Sequence, residues 1–136
     1  MDWKLEVITL SVSDPDQARD FYAERVGFNV DIDDTVNDFR FLQLTPPGSR
    51  CSIHLRKSTE DRPPGALHDL FLVVEDVRAA RDEIAGRGVE VGEVQVFDAG
   101  TYRPARGGES LDLVGCAFFS DPDGNSWCVQ QIPSHR

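Results

Sequence analysis

The chain repeats itself, and that repetition limits its possible folds more than any other feature. Residues 5–25 read LEVITLSVSDPDQARDFYAER, and residues 67–87 read LHDLFLVVEDVRAARDEIAGR. Superposed without a gap, Leu5 meets Leu67, Leu10 meets Leu72, Val12 meets Val74 and Asp14 meets Asp76. Ala18-Arg19-Asp20 then meets Ala80-Arg81-Asp82, Ala23 meets Ala85 and Arg25 meets Arg87. Both stretches run on into a glycine and an apolar residue, Gly27-Phe28 and Gly88-Val89. A period of this kind means one supersecondary unit built twice, roughly 60 residues each.

Each unit opens with a strand. Ile8, Leu10 and Val12 alternate with Val7, Thr9 and Ser11, and Leu70, Leu72 and Val74 alternate with Asp69, Phe71 and Val73. That is the period-2 pattern of a half-buried sheet. Asp14 and Asp76 follow, placed to cap a helix, and Pro15 suits the first helical position. Ala18, Phe21, Tyr22 and Val26 recur at helical spacing, as do Ala80 and Ile84. Gly27 and Gly88 are expected to stop the helices. Three strands are expected after each helix: 28–33, 38–45 and 50–57, then 89–97, 115–121 and 125–132. Turns are expected at Thr45-Pro46-Pro47-Gly48-Ser49 and Asp121-Pro122-Asp123-Gly124. Each unit therefore reads β-α-β-β-β. Residues 57–66 link the copies. Residues 98–114, rich in glycine, read as a long loop that orders on binding or dimerisation. Gly107-Gly108 lacks the Lys-Ser/Thr of a phosphate loop.

A length of 136 residues is one domain's worth, made here of repeats at about 5–57 and 67–132. Charged residues at 28% and hydrophobic ones at 40% are an ordinary globular mixture, which excludes disorder, collagen and coiled coil. Acidic residues outnumber basic ones by 24 to 14, for a net charge of −10. A chain so acidic repels phosphate, so neither nucleic acid nor an anionic membrane is expected as a partner. No apolar run reaches the ~20 residues of a membrane span. The start, Met1-Asp2-Trp3-Lys4-Leu5-Glu6, does not read as a secretory signal. Cys51, Cys116 and Cys128 form no CxxC pair and fit reduced thiols, so a cytoplasmic location is expected.

This organisation resembles the vicinal oxygen chelate superfamily, the glyoxalase/bleomycin-resistance/dioxygenase group. The residues that carry the resemblance are Leu10-Ser11-Val12-Ser13-Asp14 before a helix, Phe21-Tyr22 with Val26-Gly27-Phe28, and Asp121-Pro122-Asp123-Gly124-Asn125 before the last strand. The resemblance covers roughly residues 5–132. It implies an α+β fold in which two βαβββ modules form a partly closed barrel-like cavity, often across a homodimer interface. It does not imply one reaction, since its members include isomerases, lyases, epimerases, dioxygenases and metal-free antibiotic binders.

Metal-dependent members take one ligand from the first strand and one from the last strand of each unit. Those positions fall here on Val7, His54, Asp69 and Cys128. Strand parity points the same way. It puts Val7, Thr9, Ser52, His54, Asp69, Phe71 and Cys128 toward the cavity, and Glu6 and His68 away from it. Valine has no donor atom, and Cys128 reads as a small buried hydrophobe. No cofactor is therefore expected. A divalent ion on His54, Asp69 and Cys128 is the alternative.

His54 and Asp69 are the candidates for acid-base work, with Asp69 orienting the imidazole or acting as base. Tyr102 and Arg103 are placed in the long loop, within reach of a bound molecule, with Arg103 read first as a surface residue. Arg40 and Gln43 lie on opposite faces of one strand, so only one of them can reach the cavity. Arg56 is read as a surface residue able to neutralise an anion. Trp3 and Trp127 are read as core or dimer-packing residues, and His68 and His135 as linker and tail.

These residues predict a small-molecule-binding protein that needs no metal, resembling the antibiotic-sequestering branch. Val7, Thr9, Ser52, His54, Asp69, Phe71, Tyr102 and Cys128 would line its cavity. A metal-dependent lyase or isomerase acting on a small carbonyl compound is the alternative. A third reading is an interaction domain whose interior is filled by Phe41, Phe71 and Phe119.

Overall fold

The structure, a computed structural model, describes residues 1–133; His135 lies outside the described residues. The chain divides into two compact units. The first is Met1–Leu67 together with Asp121–Asn125, and the second is His68–Ser120 with the residues from Ser126 onward.

In the first unit β1 (Val7–Val12) leads into α1 (Pro15–Asp20). Asp14 caps that helix as its spacing predicts, its Oδ1 accepting from the amides of Asp16 (3.0 Å) and Gln17 (3.2 Å). A π-helical turn over Phe21–Val26 continues α1 and ends at Gly27, whose φ of 100° only glycine adopts without strain. The strands β2 (Asn29–Val36), β3 (Phe39–Thr45) and β4 (Ser52–Lys57) follow. Asn37 and Asp38 both have positive φ, which makes the β2–β3 link a two-residue hairpin turn. The sheet order is β1-β4-β3-β2, with β1 and β4 parallel. Leu10, Val12, Leu42, Leu44, Ile53 and Leu55 are buried on one face, each worth about 1.5–3 kcal/mol when fully buried. Arg40 lies on this side too, bound to Asp33 and Asp16, so Gln43 belongs to the opposite face.

The second unit repeats the plan with β5 (Leu70–Val74), α2 (Val77–Gly86), β6 (Gln95–Asp98), β7 (Thr101–Pro104), β8 (Gly115–Ser120) and β9 (Ser126–Gln131). Asp76 caps α2 through the Ala79 amide (3.0 Å). The order is β5-β9-β8-β6-β7, with β5 and β9 parallel. The strands form two sheets, of four and five strands, and neither closes on itself. No helix among the described residues is long and apolar enough to cross a membrane.

Three expectations change. Residues 89–94 are not a strand: Val89, Val91 and Val94 are buried, but Arg81 takes the carbonyls of Val91 and Gly92 (both 3.3 Å). Phe119 lies on the face of Trp127, on which it stacks at 6.2 Å, and so faces away from Phe71. The segment 98–114 is not structureless. Ala99 and Gly100, with φ of 53° and 85°, turn β6 back into β7.

Arg103 of β7 pins the remainder of that segment. It donates to Asp98 (3.0 Å) and, with two nitrogens, to Glu109 (2.9 and 2.8 Å). These bonds, with one from the Arg106 amide, hold the Glu109 carboxyl down to about 2. A carboxyl depressed from 4.5 contributes its stabilisation fully above pH 4.5 and loses it as pH falls toward 2. Arg103→Ala is therefore expected to speed amide exchange across 105–112 at neutral pH, leaving β8 and β9 protected. Lowering the pH of the unaltered protein through that window should do the same. Unchanged exchange in both experiments would show that Arg103 does not clamp this segment.

Candidate functional site

The first unit presents a polar face opposite its apolar one. β1 and β4 run parallel in register, Val7 beside Ser52, Thr9 beside His54 and Ser11 beside Arg56. Successive side chains of a strand alternate, so these residues share the face away from Leu10 and Leu55. β3 adds Gln43 beside His54, and Phe41 packs edge-on against the imidazole at 4.9 Å.

A hydrogen-bonded chain crosses this face. A bulge in the β2–β3 pairing between Val30 and Ile32 turns out Asp31, as bulges commonly re-aim a side chain. The Asp31 carboxyl accepts from Gln43 Nε2 (3.3 Å) and from the Thr45 hydroxyl, and Thr45 Oγ1 lies 2.7 Å from Ser52 Oγ. Gln43 Oε1 lies 3.0 Å from His54 Nε2. The carboxyl fixes the amide's orientation, because an NH₂ group must face it. The amide oxygen therefore faces His54, and Nε2 must carry the proton. In the neutral ring Nδ1 is then left as a lone-pair acceptor, with no hydrogen-bond partner among the described residues. Burial, and secondly the Arg56 charge, push the His54 pKa below its ordinary 6.5, which favours that neutral form.

The second unit carries an aromatic face. Phe71, Cys128 and Phe118 are register neighbours across β5, β9 and β8. Tyr102 meets Phe118 at 4.9 Å and Phe97 at 5.1 Å, both edge-on. Phe71 is half exposed. Burial raises the Cys128 thiol far above its usual range, with Cys116 and Asp69 adding to the effect. Cys128 is therefore a protonated thiol at neutral pH. Burial also raises the Tyr102 phenol, with Cys116, Cys128 and Asp69 contributing.

The residues predicted from sequence thus fall into two sets. Val7, Thr9, Ser52 and His54 share the polar face of the first unit. Asp69, Phe71, Tyr102 and Cys128 belong to the second. Asp69 precedes β5 with a φ of 59°, so strand alternation does not aim its side chain; its amide donates to Ser126 Oγ (3.0 Å). Tyr102 stands in a strand rather than on a loop. Of the pair Arg40 and Gln43, Gln43 is the one on this face, and Asp31 and Thr45 are polar partners that parity alone did not single out. No group of three or more His, Cys, Asp or Glu side chains among the described residues is placed to hold a metal ion.

Comparison with known proteins bears on what these faces do. Comparison with curated proteins finds no match. Among solved structures, the chain is similar to TnmS3, an antibiotic-binding protein from Streptomyces sp. CB03234. The two are 32% identical over 98% of each chain, with a TM-score of 0.74. A glyoxalase/bleomycin resistance protein from the same strain is also 32% identical, over 94% of this chain and all of that one, with a TM-score of 0.71. A superfamily member from Sphaerobacter thermophilus DSM 20745 is 27% identical over 96% of this chain and 98% of that one, with a TM-score of 0.71. The family model matches residues 4–129, and the chain belongs to the Glyoxalase/Bleomycin resistance protein/Dioxygenase superfamily.

Proposed function

We propose that this protein binds and sequesters a small, largely apolar organic molecule without the aid of a metal ion. The observation that carries the reading is the Asp31–Gln43–His54 chain, which sets one imidazole tautomer and leaves Nδ1 to accept a hydrogen bond from a ligand hydroxyl or N–H. Phe41 offers apolar surface beside it. The likeness to an antibiotic-binding protein of 32% identity supports the same reading. The family's metal pattern does not fit these residues. Val7, at the first of its four ligand positions, has no donor atom, and Cys128 at the fourth is a fully buried residue.

The test is calorimetric titration with a panel of antibiotics and other hydrophobic compounds, on protein with and without chelator treatment. Affinity for a panel ligand is expected to survive chelation. His54→Ala should weaken it by about tenfold, the worth of one net hydrogen bond at the upper end of its range. Because the His54 pKa lies below 6.5, affinity should hold level down to pH 6.5 and fall below it, as protonation consumes the Nδ1 lone pair. Chemical turnover of a panel compound, or affinity that ignores both pH and His54→Ala, would sink the proposal.

A further inference from the structure

A cavity of about 430 Å³ opens at the C-terminal end of β1 and β4, within the first unit. Its charge is opposite to that of the chain as a whole. The protein carries 24 acidic residues, yet Asp38 is the one acid among the side chains lining this cavity, against Arg40, Arg56, Lys57 and Arg62. Arg40 is compensated by Asp33 and Asp16. Arg56, Lys57 and Arg62 have no ion-pair partner among the described residues.

One of these cations is held in position by its side chain, and the backbone that carries another is fixed. The Arg56 guanidinium lies over the Phe39 ring, 5.2 Å from its centre, an arrangement that restrains a long side chain. Arg62 sits in a tight loop closed by mutual backbone bonds with Thr59 (3.0 and 3.1 Å). That loop is tied to β1 through the Ser58 amide and the Val12 carbonyl (2.8 Å). Phe39, Leu55 and Pro15 supply apolar wall.

We propose that this cavity binds a small organic oxyanion, a carboxylate or a phosphate monoester, whose charge meets Arg56, Lys57 and Arg62 while its apolar body lies against Phe39, Leu55 and Pro15. The long-range field of the chain disfavours any anion, so a local cluster of uncompensated guanidinium groups is what makes such a ligand selective for this place. The inference does not rest on the function proposed for the His54 face.

Titration of ¹⁵N-labelled full-length protein with benzoate, phenyl phosphate and benzamide tests it. The two anions separate carboxylate from phosphate recognition, and the amide is the neutral control. At least one anion is expected to shift the resonances of Leu55, Arg56 and Lys57 saturably, about tenfold more tightly than benzamide, and more weakly as salt is raised. Arg56→Gln and Arg62→Gln should each reduce that binding, while Arg62→Gln leaves the affinity for the hydrophobic panel ligands unchanged. Equal binding of benzamide, unaltered binding in both variants, or the lack of a saturable shift with either anion would overturn the proposal. None of these outcomes bears on the titrations at His54.

Discussion

Replacing Asp121 with alanine is expected to destabilise the protein by about 3–5 kcal/mol and to lower its Tm by on the order of 10 °C. Asp121 is 5% exposed and stands at the centre of a buried polar knot. Its Oδ2 accepts from the Tyr22 hydroxyl (2.8 Å) and from Asn125 Nδ2 (2.8 Å), and its Oδ1 from the amides of Asp123 (2.9 Å) and Asn125 (3.0 Å). Tyr22 and Asn125 are both fully buried, so alanine strands their donors away from water. Among described residues no buried side-chain nitrogen or oxygen is without a partner, so the donors that alanine strands would be the first. Tyr22→Phe removes a single donor, keeps the ring packing on Phe28, and should cost about 1–2 kcal/mol. Denaturant melts of both variants measure the difference. A loss below about 1 kcal/mol for Asp121→Ala, the size of one ordinary hydrogen bond, would show that the knot does not hold the first unit together.

The second large effect is expected at Gly65. Its φ is +72°, and a Cβ built there would lie 2.0 Å from the Asp123 carbonyl oxygen and 2.9 Å from its carbon. Backbone atoms cannot swing aside as a side chain can. Gly65→Ala must therefore displace either the linker or the Asp121–Asn125 turn, at about 3 kcal/mol or more once backbone strain is added. Gly48→Ala is the control. Its φ is +85° with nothing within 4 Å, so it carries the strain alone, about 1–2 kcal/mol. Urea midpoints for the two variants separate contact from conformation. Equal losses would refute the clash.

What could be read from the residues was what local alternation and caps encode. The repeat, both aspartate caps and the two faces of β1 and β4 followed directly from spacing, because a strand's period is fixed and an N-cap side chain acts within three residues. Arg40 and Gln43 fell on opposite faces of β3 as alternation requires. Alternation carries no information where the backbone leaves the regular period. Asp69 has a left-handed backbone just ahead of β5, so alternation says nothing of where it points. Residues 89–94 alternate like a strand, but an arginine supplies the partners a neighbouring strand would have supplied. The pairing of Asp31 with Gln43 depends on a bulge, and the pairing of Gln43 with His54 on the register between strands whose spacing along the chain carries no signature.

The Asp121–Asn125 turn also bears on how the protein is made. Tyr22 must wait for a carboxyl that lies 99 residues further along the chain, and the Ser11 carbonyl awaits Asn125 over a longer stretch still. At the usual pace of translation that interval is on the order of ten seconds. Throughout it the nascent N-terminal half leaves the ribosome with its polar knot untied. Its final locking waits for the Asp121–Asn125 turn itself to be made.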